Sequence, residues 1–111
     1  MDAPGRLIGS VSVSGTDPSA AIDCTRYQLG AIGTPGTLTS TSLSFQVSID
    51  GTNYLTLMEV GGASAYTVTV STSDFVPVNP QVFACAQYVK IVPGSSEGSA
   101  RTITYVQRPF V

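Results

Sequence analysis

Ser42-Leu43-Ser44-Phe45-Gln46-Val47-Ser48-Ile49 alternates large apolar and polar side chains without a break. An extended chain with that period places every second residue on one side. Leu43, Phe45, Val47 and Ile49 therefore read as a core face, and the serines and Gln46 as an outward face. Asp50-Gly51-Thr52-Asn53 follows directly. Gly51 accepts a positive φ, and the side chains of Asp50 and Asn53 can bond nearby amides, so these four residues read as a turn. Residues 54–59 are then expected to return antiparallel as the second arm of a hairpin.

The same period recurs on both sides of this hairpin, and no helix-length window carries apolar residues at three-and-four spacing. Upstream, residues 7–14 form a candidate strand, expected to begin at an edge, between Pro4-Gly5 and the Gly15-Thr16-Asp17-Pro18 cluster. Residues 27–33 form another, with Tyr27, Leu29 and Ala31 on one face, closed by Gly33-Thr34-Pro35-Gly36. Downstream, Gly61-Gly62 ends the hairpin arm, and residues 66–70 resume the alternation with Tyr66, Val68 and Val70 on one side. Pro77 and Pro80 cannot donate to a ladder, so residues 75–80 are expected to form an extended crossover or an edge. Residues 87–92 make a denser apolar strand, 94–100 have the composition of an exposed loop, and 102–108 make the last strand. The predicted fold class is all-β. We expect one domain over residues 1–111, an antiparallel β-sandwich of jelly-roll or immunoglobulin-like type with about 7–8 short strands.

Composition narrows the chemistry. Only 11% of the residues are charged, against about 25% in ordinary soluble domains. Ser, Thr and Gly fill the polar positions instead; they hydrate well but do little to repel a neighbouring copy. Histidine is absent, which removes imidazole-activated nucleophiles, histidine-ligated zinc and proton relays poised near neutral pH. Net charge is −2, and the five cations Arg6, Arg26, Lys90, Arg101 and Arg108 are scattered, so nucleic-acid binding is not expected. No apolar run is long enough to span a bilayer, and the first residues lack the basic and apolar regions of an export signal; no membrane partner is expected.

Other candidate sites reduce to structural roles. Cys24 and Cys85 read as two free core thiols in preference to an inter-sheet bridge, because the tryptophan that accompanies such a bridge is missing. No Asp-x-Asp-x-Asp-Gly run exists, so the acids do not form a calcium loop, and Asp50 is explained by its turn. Neither a catalytic set nor a cofactor or metal site is expected. Tyr27, Tyr54, Tyr66, Tyr88 and Tyr105 read as strand residues that pack a ring and hydrate a hydroxyl. Tyr54, beside the hairpin turn, is the exception that could meet a ligand.

The run 43–54, the later Tyr88-Val89-Lys90-Ile91 and the closing strand of residues 102–109 together resemble small β-proteins of tailed bacteriophage virions. The resemblance implies a non-enzymatic subunit present in many copies on a virion. Its leading form is a capsid decoration or cement protein whose partners are the major capsid protein, other virion subunits or further copies of itself. The alternative is a neck, tail or fibre component that binds a receptor or glycan. On this reading residues 1–6 and 108–111 are expected to lie against neighbouring subunits, and Arg6, Tyr54, Arg108 and Phe110 are the candidate partner contacts, with Phe110 as the apolar anchor.

Overall fold

The computed structural model describes residues 7–83 and 86–109. Among them are nine strands: β1 (Leu7–Gly15), β2 (Ile22–Asp23), β3 (Tyr27–Gly33), β4 (Ser42–Ser48), β5 (Leu55–Thr56), β6 (Thr67–Thr69), β7 (Phe75–Pro77), β8 (Tyr88–Pro93) and β9 (Glu97–Pro109). A four-stranded sheet runs in the order β1-β9-β3-β7, and a five-stranded sheet in the order β2-β8-β4-β5, with β6 also on β4. Every pairing is antiparallel. The inner faces of both sheets meet in one core that includes Val13, Leu29, Ile32 and Ile103 from the first, and Leu43, Phe45, Val89 and Ile91 from the second. This is the expected β-sandwich.

The centre of the core is aromatic. Phe45 meets Phe83 edge-on at 5.1 Å between centroids, and Tyr66 lies 5.8 Å from Phe83 and 5.9 Å from Phe45. Phe83 reaches this cluster from a 3-10 turn at Pro80–Phe83 that follows β7. Tyr66 keeps its hydroxyl paired by accepting the Asn79 N–H at 3.1 Å. The chain from β7 into β8 is thereby tied to the core by aromatic contact, which explains how a segment with two prolines can link two sheets.

The structure corrects the alternation at four places. In β3, Leu29 pairs with Gln107 but Ala31 pairs with Val106, so Gly30 is an extra residue in the ladder. A bulge of this kind reverses the side-chain parity beyond it. Leu29 and Ile32 therefore enter the core, and Ala31, expected beside Leu29, lies on the other face. In β4 the pattern ends one residue early: Ser48 is buried and Ile49 is 73% exposed. The Ser48 hydroxyl accepts the amides of Asp50 and Gly51, so turn chemistry overrides apolar periodicity there.

At the third place, residues 97–100 belong to β9 rather than to an exposed loop, and Glu97 is buried. The fourth is the strand count. It exceeds the expectation because β2 and β5 are two-residue pairings, too short for alternation to reveal. The β2 region is further held to β8 by Ser19, whose N–H donates to Ile91 O at 2.8 Å and whose hydroxyl accepts Ile91 N–H at 2.9 Å.

These differences give a direct test by chemical denaturation. Phe45→Ala should lower the unfolding free energy by about 3–5 kcal/mol, as loss of a fully buried aromatic does. Ile49→Ala, with the same apolar periodicity but an exposed side chain, should change it by less than about 0.5 kcal/mol. Equal costs at the two positions would contradict the register.

Candidate interaction surfaces

The outer face of the four-stranded sheet carries a row of apolar residues joined by direct cross-strand pairing. Ile8 pairs with Val106, Val106 with Ala31, and Ala31 with Pro77, one residue from each of the four strands. One step along, Gly33 pairs with Phe75, which is 67% exposed. Ile8 is 59% exposed. Each strand supplies the row because it holds two adjacent apolar residues, as in Ala31-Ile32 and Tyr105-Val106; one enters the core and its neighbour must face out. Adjacent apolar pairs were the available sequence signal for this face, and reading each strand for its core side alone passes over them.

Arg108 borders the row. It pairs with Gln28, is exposed, and passes its side-chain stem near the Gly30 bulge, where a Cβ on that glycine would lie 3.8 Å from Arg108 Cγ. Tyr54 is on the opposite side of the molecule, against the outer face of the five-stranded sheet. Lys90 Nζ stands 4.3 Å from the Tyr54 ring centroid, so the ammonium covers one ring face in a cation–π contact. Burial raises the Tyr54 phenol above its ordinary value, with Tyr88 and Asp50 adding to the shift. The fold therefore does not bring Tyr54 and Arg108 together. Arg6 and Phe110, the other two expected contacts, lie outside the described residues, as does Cys85.

The turn beside Tyr54 is internally satisfied. Asp50 Oδ1 accepts the Thr52 and Asn53 amides at 2.8 and 2.9 Å and the Ser48 hydroxyl at 2.9 Å, and Oδ2 accepts Asn53 Nδ2 at 3.0 Å. The Asn53 and Thr52 amides, with the Asn53 and Ser48 side chains, hold the Asp50 carboxyl well below the usual carboxylate range. Its capacity to accept is largely used in shaping the loop. A cleft of about 300 Å³ lies beside this turn, lined by Val47, Ile49, Leu55 and Ala86 among others. Its walls are mostly apolar, with Ser48, Asp50 and Asn53 on the turn side already bonded to one another, so it offers a slot for an apolar side chain.

Two buried polar groups staple the sandwich ends. Glu97 Oε2 accepts Ser40 N–H at 2.7 Å and the Ser40 hydroxyl at 2.6 Å, while Oε1 accepts Thr39 N–H at 2.9 Å and Arg101 Nε at 3.0 Å. Burial pushes this carboxyl up, but the bonds from Ser40, Thr39 and Arg101 outweigh it and lower the group to about 2. At the other end Gln107 Nε2 donates to Asp23 O at 2.9 Å, Tyr27 O at 3.0 Å and Cys24 Sγ at 3.4 Å. Cys24 is a free, buried thiol, pushed up to about 11 chiefly by burial, and so is held protonated. Among the described residues no group of three or more His, Cys, Asp or Glu could hold a metal ion, and no helix is long and apolar enough to cross a membrane.

No protein-family model matches the chain, and no curated protein sequence matches it. Among solved structures it is similar to the SPBc2 prophage-derived protein YomS, with a TM-score of 0.60 and 10% identity, covering 96% of this chain and 97% of that one. It is also matched to CBM32-3 from a family 31 glycoside hydrolase of Clostridium perfringens, with a TM-score of 0.37 and 13% identity, covering 93% and 74%. The likeness to YomS is one of fold.

The Glu97 clamp predicts acid sensitivity. Its folded value lies below the 4.5 of an ordinary glutamate, so the carboxylate stabilises the native chain above that pH. The contribution is lost as the pH falls from 4.5 toward 2. Glu97→Gln should destabilise the protein by about 2–4 kcal/mol near neutral pH, because an amide cannot accept every one of these bonds. The gap between variant and native should narrow in denaturation series taken through that acid window. A gap independent of pH would mean that the clamp is not ionic.

Proposed function

We propose that this chain is a non-enzymatic structural subunit of a bacteriophage particle, and specifically a capsid decoration or cement protein that binds the major capsid protein or neighbouring virion subunits. The observation that carries this reading is the apolar row Ile8–Val106–Ala31–Pro77 with Phe75 beside it. A sheet face of this kind resists hydration and fits a flat protein surface laid against it. Sparse charge supports the same reading, since a subunit held in a lattice gains stability from repeated contacts and needs little self-repulsion. The fold likeness to a prophage-derived protein is consistent with a phage setting. The described polar groups support a non-catalytic role: the Asp50 and Glu97 carboxylates are engaged in turns and clamps, and the Cys24 thiol is kept protonated.

The alternative, a receptor- or glycan-binding module of a neck, tail or fibre, rests on Tyr54. Sugar binding on an aromatic platform needs an open ring face, and Lys90 occupies one face of this ring. The Lys90 contact accounts for one ring face alone, so the preference for the cement reading rests on the apolar row.

Particles assembled without this protein should lose resistance to heat and osmotic shock while still adsorbing to cells. Added native protein and Tyr54→Ala should restore resistance, whereas an Ile8→Ser/Phe75→Ser double variant should not. Unchanged stability of particles lacking the protein would overturn the cement role, and loss of adsorption with Tyr54→Ala would favour the module.

A further inference from the structure

The two sheets differ in how their edges are finished. On the five-stranded sheet the outer strands β2 and β5 have two residues each, and β6 has three. On the four-stranded sheet one outer strand, β7, has three residues and ends on Pro77. Short strands and proline are common means of keeping an edge from pairing with another chain. The remaining edge, β1, has neither. It runs for nine residues, Leu-Ile-Gly-Ser-Val-Ser-Val-Ser-Gly, with no charge and no proline. Its register is unbroken against β9 until the shift between Val13 and Gly15 at its end. Among the described strands β1 pairs with β9 alone, so its far side presents backbone N–H and C=O groups without a strand to meet them.

We infer that β1 pairs antiparallel with β1 of a second copy across a two-fold axis, joining the two four-stranded sheets into one continuous sheet. Three features suit a second copy as the occupant. First, a two-fold axis sets like against like, which is repulsive for charged strands and harmless for one built of Ser, Gly, Val, Leu and Ile. Second, parity closes: antiparallel pairing about an axis at Ser10 or Val11 matches odd residues with odd and even with even. Val11 and Val13, which face the core, then continue the inner surface of the partner sheet, and Ser10 and Ser12 continue its outer surface. Third, Leu7 and Ile8, 45% and 59% exposed at the free edge, gain a neighbouring strand: an axis at Ser10 sets Leu7 beside Val13 and Ile8 beside Ser12 of the second copy. The outer surface of the dimer then carries the hydroxyls of Ser10, Ser12, Thr102 and Thr104 across the axis, with one apolar row on each side of them. This inference goes beyond the virion reading and stands without it, because it concerns the purified chain.

The test uses the full-length protein and a Ser10→Lys/Ser12→Lys variant. Both serines are exposed, so the added ammonium groups are compatible with the monomer fold, while an axis at Ser10 sets position 10 against its own copy and an axis at Val11 sets position 10 against position 12. Thr102→Lys, one strand inward on the exposed outer face, is the control for added charge. Light scattering after size exclusion should give twice the 11.5 kDa chain mass for native protein and Thr102→Lys, and the single-chain mass for the double variant. Circular dichroism should show the same strand signal in all three. Amide exchange in β1 should be slower in the native protein than in the double variant. A single-chain mass for native protein at every concentration would overturn the inference. So would a dimer that survives the two lysines, or open-ended assembly in place of a closed pair. A native dimer whose absence leaves particle stability unchanged would count against the cement role and not against the pairing.

Discussion

An antiparallel sandwich must commit alternate side chains of each strand to the gap between its sheets, and nearly everything distinctive here follows from where that parity is kept or broken. It is kept through β4 as far as Val47, which lets the Phe45 ring reach Phe83 and Tyr66 inside the core. It is broken at Gly30, where an extra residue turns Ala31 outward and Ile32 inward. Without that reversal Ala31 would face the core, and the outer row would be interrupted between Val106 and Pro77. The bulge therefore sets Ala31, itself only 7% exposed, between Val106 and Pro77 on the outer side. Its added backbone carbonyl is also used, since Gly30 O accepts the Val78 N–H at 3.0 Å.

Sequence alternation exposes the fold class because strand period is a property of the backbone, visible wherever one face is wet. The bounds of β3 agree with the expected 27–33, and the prolines mark β7 as an edge. What the alternation conceals has local causes. Ile49 continues the apolar period but sits where the Ser48 hydroxyl and Asp50 carboxylate have begun the turn, and those hydrogen bonds set the backbone there. Residues 94–100 look like a solvated loop because they are small and polar, yet Glu97 finds five donor contacts from Ser40, Thr39 and Arg101 that outweigh its burial. Those partners lie four to fifty-eight residues away along the chain, a long-range convergence that composition cannot show. The candidate contacts divide similarly. Tyr54 was legible as an aromatic beside a turn, but its pairing with Lys90 depends on the register of β8.

The polar staples have a further consequence for how the sheets are held. Glu97 fixes the connection after β3 to the start of β9, and Gln107 fixes the β2–β3 connection to its far end. Both belong to the longest strand, which lies between β1 and β3. One strand therefore references the loops at opposite ends of the sandwich to the same ladder. Because β1 pairs only with that strand among the described residues, the geometry of the free edge is inherited from a rigid neighbour. An edge positioned in this way loses little conformational freedom on meeting a partner, which is the condition under which modest contacts give measurable affinity.

The two outer faces then differ in part. On the five-stranded sheet, Ser42, Ser44, Gln46, Thr67 and Thr69 present hydroxyl and amide groups, and the Tyr54–Lys90 contact closes over the hairpin end. Water satisfies such a face as it stands. On the four-stranded sheet, Ser10, Ser12, Thr102 and Thr104 also present hydroxyls, while the row of Ile8, Val106 and Pro77 with Phe75 offers water little to bond and is bordered by Arg108. A free monomer would ordinarily counter such a surface with charge, but only 11% of this chain is charged. Low charge and the apolar row thus describe one property seen from composition and from geometry. Exposed apolar area is divided between the Ile8–Phe75 side of the four-stranded sheet and the segment 49–60, where Ile49, Leu55 and Val60 are open to solvent, and the flat part of it is the row that crosses four paired strands.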